Sequence, residues 1–417
     1  MELKPGYQQT EVGVIPEVWK LKSIESFSAL VTKGTTPTTY GFKWADEGVL
    51  FLRSECVSDD GLDLAESTFV SKATHAAIIR GEVRSGDVLI TITGNVGRVV
   101  LLTPDFGFAN TNQHIARIRV TEASVRGDFL YHWLSQPMVR AYYTSITTGQ
   151  AYPQISLRQV RKTQVPLPPL LEQGAIATAL GDVDGLLDVL KKLITKKRDL
   201  KQAAMQQLLT GHRRLPGLKE EWEMVTAGEI GRFRGGGGFP LKYQGEAGGR
   251  YPFFKVSDMN NEGNETFMTN ATNWVSEAIR KAIGVSPFPA GSIVFAKVGA
   301  AVFLERKRIL AQASCIDNNM TAFVLDPRRA DSRFIHSVFL QLTLGALVAT
   351  TALPSLSTKQ LSAITLSLPS LTEQLAIAAV LSHMDAELLA LEARLAKTRA
   401  LKQGMMQELL TGRTRLV

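Results

Sequence analysis

One segment of this chain occurs twice, and few folds accommodate such a segment. Its first copy begins at Leu167 and its second at Leu368, and the two align without a gap to the last residue. About half of the paired positions are identical, which marks a true internal repeat. Within it, Leu180, Val183, Leu187, Leu190 and Ile194 recur at alternating spacings of three and four, as do Leu381, Met384, Leu388, Leu391 and Leu395. That pattern is the a/d seam of a coiled coil. Both copies open on proline followed by Glu-Gln (Glu172-Gln173, Glu373-Gln374) and stop at Leu-Leu-Thr-Gly (Leu208 to Gly211, Leu409 to Gly412). Proline before and glycine after punctuate a helix of about 38 residues, ~57 Å long at ~1.5 Å per residue. The seam falters where Leu200, Ala204 and Leu208, and Leu401, Met405 and Leu409, run at spacings of four. A change of winding is predicted near Lys197 and Thr398.

Before each repeated helix lies a longer, diverged segment, and the two segments share a plan. Each opens near a tryptophan (Trp19, Trp222) and passes a glycine turn ending in proline, Lys33-Gly34-Thr35-Thr36-Pro37 in the first and Gly235-Gly236-Gly237-Gly238-Phe239-Pro240 in the second. Strand candidates follow, Val49 to Arg53 and Tyr251 to Val256, then acidic turns, Asp59-Asp60-Gly61 and Asn260-Asn261-Glu262-Gly263. A glycine turn feeds a buried strand in both (Ser85 to Thr91; Ala290 to Ala296). Polar knots come next, Asn110 to Gln113 and Asp317 to Asn319, each before another strand (Ile115 to Val120; Thr321 to Leu325). Both segments close on a helix and a similar turn, Ala151 to Ser156 and Ala352 to Ser357, with Phe129 to Tyr143 read as one helix holding His132 and Arg140.

The fold class is therefore α+β, with order domain, helix, domain, helix. The second helix needs a partner for its seam, and the matching seam is on the first helix, so the second must return antiparallel. Two strand-rich domains are expected in pseudo-twofold arrangement at the ends of an antiparallel two-helix coiled-coil rod. Boundaries are placed at 1–165 for the first domain, 166–213 for the central helix, 214–366 for the second domain and 367–417 for the distal helix.

Composition excludes several classes. The chain of 417 residues has no low-complexity tract, and its net charge of +8 favours a polyanionic partner. Cys56 and Cys315 are far apart and lack metal-ligand spacing, which fits a reducing cytoplasm. Ser337 to Leu353 is apolar and uncharged, but its counterpart in the first half is not, so no membrane span is expected.

This order resembles the specificity subunits of type I DNA restriction-modification enzymes. The resemblance rests on the Leu-Pro-x-Leu-x-Glu-Gln segments at Leu167 to Gln173 and Leu368 to Gln374, on the Leu-Leu-Thr-Gly ends, and on Gly-x-Thr-Pro at Gly34 to Pro37. It implies that the diverged segments are target recognition domains and the repeated helices are conserved spacers that bind methyltransferase (M) subunits. The second half departs from the turn, with Gly237-Gly238-Phe239-Pro240, so a DNA contact carries over to Thr36 alone. Expected partners are double-stranded DNA, two M subunits and, in the full complex, motor-nuclease (R) subunits. A two-faced reader suits an asymmetric bipartite target, with rod length setting the unread gap.

Contacts to phosphates come from Lys and Arg, and to base edges from Arg, Lys, Asn and Gln at strand ends. The candidates are Lys33, Thr35, Thr36, Arg53, Arg98, Asn112 and Gln113 in the first domain. In the second they are Arg234, Lys255, Lys297, Asn318 and Asn319. The basic run Lys191, Lys192, Lys196, Lys197, Arg198 and Lys201 is read as a solvated helix face, with DNA passing along it as the alternative. Partner docking is assigned to outward faces around Glu172, Gln173, Glu373 and Gln374.

No catalytic residue, metal site or cofactor is expected. The chain has no Walker-type Gly-x-x-x-x-Gly-Lys-Ser/Thr, no Asn-Pro-Pro-Tyr or Asp-Pro-Pro-Tyr, and no Gly-x-Gly-x-x-Gly after a strand. Its six histidines lack ligand spacing. Two other readings remain: a coiled-coil adaptor spacing two protein-binding domains, and a methyltransferase or nuclease with an unrecognised active site.

Overall fold

The computed structural model describes residues 5–149, 151–348 and 354–416. Its contacts divide into two compact units, one of Met1–Lys192 with Ala393–Val417, the other of Leu193–Glu392.

In the first unit, Ser28–Lys33, Ile115–Val120, Val88–Thr91 and Val99–Leu101 form an antiparallel sheet in that order. Every residue of Val88–Thr91 is buried, because both faces of this sheet are covered. Successive side chains point to opposite faces. Val88, Ile90, Ala116 and Ile118 face one core with Phe129, Trp133 and the long-helix residues Ile176 and Leu180. Leu89 and Ile115 face a second core with Leu52, Val83 and Ala109. Those three belong to a second sheet, ordered Thr68–Val70, Val49–Leu52, Phe108–Thr111, Glu82–Arg84, whose central pair is parallel. The helix expected over Phe129 to Tyr143 is broken into Gly127–Leu134 and Pro137–Ser145. Pro137 has no N–H to give to the preceding turn, so it begins a new helix instead.

The second unit repeats this plan with different residues. Gly231–Gly235, Met320–Leu325, Ile293–Ala296, Lys307–Leu310 and Phe267–Met268 make its main sheet. Asn273–Val275, Tyr251–Phe254 and Cys315–Ile316 make the second, again with a parallel pair. Its core is aromatic: Phe233 stacks on Phe323 at 4.2 Å, and Phe295 and Phe339 pack beside them. Full burial of each ring is worth about 1.5–3 kcal/mol. Within the apolar stretch beginning at Ser337, Ser332–Leu340 ends as a short amphipathic helix and Leu344–Leu347 is a 3-10 turn. Residues 349–353, and with them the start of the Ala352 to Ser357 turn, lie outside the described residues.

The repeated segments are helices of 39 residues, Leu170–Leu208 and Leu371–Leu409. Each begins just after a proline, and Gly211 (φ 73°) and Gly412 (φ 69°) adopt the left-handed conformation beyond their ends. In each unit, one end of one helix packs antiparallel to the opposite end of the other. In the first unit Ile176 and Leu180 share a core with Met406 and Leu409. In the second, Met205 and Leu208 share one with Ile377 and Leu381.

The expected change of winding does not occur. Leu200 and Leu401 are exposed at 48 % and 58 %. The three–four alternation continues instead through Lys197 and Lys201 in the first helix and Thr398 and Lys402 in the second. Lys201 is ion-paired with Asp385, and Lys402 with Asp184 at 2.5 Å. Leucine at a position of spacing four looked like seam because the true seam residues there are polar. A polar pair at such a position fixes register at some cost in stability.

Candidate nucleic-acid interface

At one end of the first unit's sheets, several strand ends and turns converge. After Lys33 the chain turns so that the Gly34 N–H donates to Asn112 O at 3.1 Å and the Thr35 N–H to Thr111 O at 3.1 Å. A Cβ on Gly34 would lie 1.7 Å from Thr111 O, so only glycine permits this approach. The Thr36 hydroxyl then donates to Gln113 Oε1 at 2.5 Å. Lys33, Thr35, Thr36, Asn112 and Gln113 are thereby brought together. Asn112 is buried, and its Oδ1 accepts the His114 N–H at 3.0 Å, which makes its amide a turn cap.

Arg53 follows the strand whose Leu52 O accepts the Asn112 N–H, so it belongs to the same edge. Its guanidinium, however, donates to Glu66 O at 3.0 and 3.1 Å. Arg98 does not join the group. It pairs with Asp59 at 3.4 Å, and Asp59 also pairs with Arg140 at 2.6 Å, in a cleft of about 360 Å³ lined further by Lys191, Arg399 and Lys402.

The second unit builds the same edge. Gly236 and Gly237 N–H donate to Met320 O and Ile316 O, Asp317 N–H to Phe254 O, and Lys297 N–H to Asn319 O at 2.8 Å. Arg234, Lys297, Asn318 and Asn319 therefore share one end of the sheets, and Arg234 and the two asparagines are exposed. Arg234 is held over the Phe288 ring at 4.8 Å. Lys255 donates to Gln244 Oε1 at 3.1 Å. Burial pushes the Asp317 carboxyl above its ordinary range, with the nearby Asp258 adding to the shift.

Hydrogen bonding corrects the pairing of the two halves. Asn112 and Asp317 each cap the N–H two residues on, so Gln113 matches Asn318, and His114 matches Asn319. Gly34 matches Gly236, not Gly237, since a Cβ on Gly236 would lie 2.0 Å from Asp317 O. Ile92 stands where Lys297 stands, each donating its N–H to the carbonyl that closes the polar turn. Sequence reasoning missed His114, which lies 3.2 Å from Gln113 Nε2 and beside the exposed ring of Tyr152. Its position directly after the polar knot was the available signal.

The expectation that Glu172, Gln173, Glu373 and Gln374 face outward fails. All four are buried, at 0–1 % exposure. Glu172 accepts the Trp19 indole N–H at 3.2 Å and is bound by Arg415; Glu373 accepts from Trp222 at 3.1 Å and from Arg214 at 2.6 Å. Gln173 Oε1 accepts the Arg126 N–H and Gln374 Oε1 the Asp331 N–H, both at 2.9 Å. These residues fasten each helix start to its own unit. They read as surface because carboxylate and amide side chains are ordinarily solvated.

The basic run on the first helix is engaged within the molecule: Lys191 with Asp60 at 2.8 Å, Lys197 with Glu387 at 2.6 Å, and Arg198 with Glu392 at 2.5 Å. Lys192 and Lys196 of the same run are exposed. Among the described residues no cluster of His, Cys, Asp and Glu could hold a metal ion.

A family profile described as the type I restriction modification DNA specificity domain matches the chain twice, over residues 16–197 and 219–398. The chain belongs to that family. Among curated relatives, the type I restriction enzyme MjaVIII specificity subunit of Methanocaldococcus jannaschii is 23% identical over 419 residues, 96% of this chain and 94% of that protein. The EcoBI specificity subunit of Escherichia coli is 25% identical over 185 residues, 43% of this chain and 38% of that protein. The crystal structure of the type I S subunit from M. genitalium has the same fold, with a TM-score of 0.61 at 16% identity and 98% of each chain covered. A chain from a structure addressing complex assembly and conformational transition of the type I R-M system has a TM-score of 0.56 at 18% identity, covering 95% of this chain and 99% of that one. As a member of the specificity family, this chain carries two copies of a DNA recognition domain, and the two sheet edges are one per copy.

Proposed function

We propose that this specificity subunit chooses the DNA site for a type I restriction-modification complex, reading an asymmetric bipartite target with one domain per half-site. The reading is carried by the recurrence of one edge on two domains with unlike residues. A repeated backbone frame with different side chains is what two different half-sites require.

Lys33, Arg234, Lys255 and Lys297 are assigned to phosphates. Thr35, Thr36, Gln113 and His114 in the first domain, and Asn318 and Asn319 in the second, are assigned to base edges. Arg53 contributes only if it leaves Glu66. The chain performs no chemistry of its own. Two M subunits dock on surfaces duplicated by the internal repeat, R subunits complete the assembly, and the complex works on double-stranded DNA in the cytoplasm.

Mapping methylated bases in a host carrying this chain with its M subunit tests the reading. A two-part motif with an unread gap is expected. Methylation by the purified chain alone, or binding that does not weaken steeply with salt, would refute it.

A further inference from the structure

The second unit carries a feature that its counterpart lacks. Between Ile293–Ala296 and Lys307–Leu310 the chain forms a 3-10 turn, Ala300–Leu304, that puts Phe303 and Leu304 side by side in solvent, each 56 % exposed. The corresponding turn in the first unit, Gly94 to Gly97, is short, and its apolar residue, Val96, is buried. Single exposed apolar residues are ordinary, but two large ones at a loop tip are a reason to seek a partner surface.

This tip is held, not loose. Glu305, directly after it, is the one non-glycine among the described residues with positive φ (53°). That conformation is costly for a residue with a Cβ, and it persists only where surroundings enforce it. Here the Glu305 carboxylate accepts from Lys307 Nζ at 2.5 Å, from the Leu344 N–H at 3.1 Å and from the Gly345 N–H at 2.7 Å. Val302 anchors the turn in the core, and one edge of the Phe303 ring rests on the backbone at Gly345. The same loop starts at Lys297, whose N–H closes the Asn318–Asn319 turn, and leaves through Arg306. An apolar pair thus stands between two cationic residues on a loop that begins at the reading edge.

We infer that Phe303 and Leu304 form a wedge that enters the DNA stack at the second half-site, with Lys297 and Arg306 on the flanking phosphates. Proteins that bend DNA insert apolar side chains of this kind between base steps, and positive flanks hold the strained duplex. The wedge gives the second half-site a dependence on step deformability that the first half-site lacks. It rests on the DNA-reading function proposed above.

The test uses the full chain in complex with its M subunits and a duplex carrying the motif found by methylation mapping. 2-Aminopurine is placed at successive positions of each half-site. Binding is expected to raise fluorescence several-fold at one step of the second half-site and at none of the first. Phe303→Ala/Leu304→Ala should abolish that rise and weaken binding by about tenfold or more, while Phe303→Tyr restores both. Leu304→Ala alone, a smaller change, should lose part of the signal with an unaltered melting curve. The wedge is overturned if the double variant keeps the signal and the affinity, or if it stops co-eluting with the M subunits, which would make the tip a protein contact. A wild-type complex that methylates no defined motif would overturn the functional reading, and the wedge with it.

Discussion

The Glu373 carboxylate, fully buried, receives both Nε–H and Nη2–H of Arg214 at 2.6 Å. The same clasp recurs between Glu172 and Arg415, each completed by a tryptophan N–H. Bidentate geometry and a third donor make a carboxylate tolerable in an apolar setting. Glu373→Ala is expected to lower the unfolding temperature by several degrees, because it leaves the Trp222 N–H and Arg214 without their acceptor. Glu373→Gln should recover part of the loss. Thermal melts of the two variants, with M-subunit co-elution as a second readout, separate fastening from docking: melting should change and stoichiometry should not.

Burial holds the His132 imidazole down at about 4, against the opposing pull of Asp184. Unfolded, it titrates near about 6.5. Between these values the unfolded chain binds a proton that the folded chain refuses, so stability is full above about pH 6.5, falls as pH drops and levels off below about 4. The loss approaches about 3 kcal/mol. His132→Gln should flatten this part of a stability–pH curve measured by urea unfolding. His336, lowered by burial in the same direction, keeps acid sensitivity in the second unit.

Gly34→Ala and Gly236→Ala each place a Cβ within 2 Å of a carbonyl oxygen. The turn must leave its strand. Gly34→Ala is expected to degrade one half of the methylated motif and Gly236→Ala the other, each leaving its opposite half intact. Loss of the same half by both would contradict one domain per half-site.

An insertion at Gly211 would lengthen the connector, not the helix, since the helix ends at Leu208. A four-residue insertion after Leu193 and its equivalent after Arg394 adds about one turn, ~6 Å, to both helices. The methylated motif should keep both halves and gain a wider gap. An unchanged gap would dismiss helix length as the ruler.

Much of this was legible in the sequence. Helix ends at Leu208 and Leu409, the strands Val88–Thr91 and Ile293–Ala296, and the shared plan of two diverged segments follow from local signals: punctuation by proline and glycine, and apolar periodicity. The seam beyond Ile194 was misread because periodicity counts apolar residues, and there the half-buried seam positions include Lys201 and Lys402, paired with Asp385 and Asp184. The outward-facing reading failed at Glu172 and Glu373 for a like reason, since nothing local shows that Arg415 and Arg214 arrive to neutralise them. The offset between Gly34 and Gly236 escaped notice because glycine runs align equally well in several registers; a close carbonyl decides among them.

By itself the sequence determined a duplicated chain with two long helices and two related α+β domains, because those properties arise from residues near one another. Only the tertiary structure decided which polar residues are buried, which turns meet at one end of the sheets, and that Phe303 and Leu304 stand in solvent beside a constrained Glu305. Burial and close approach depend on what arrives from far along the chain, and no spacing pattern carries that information.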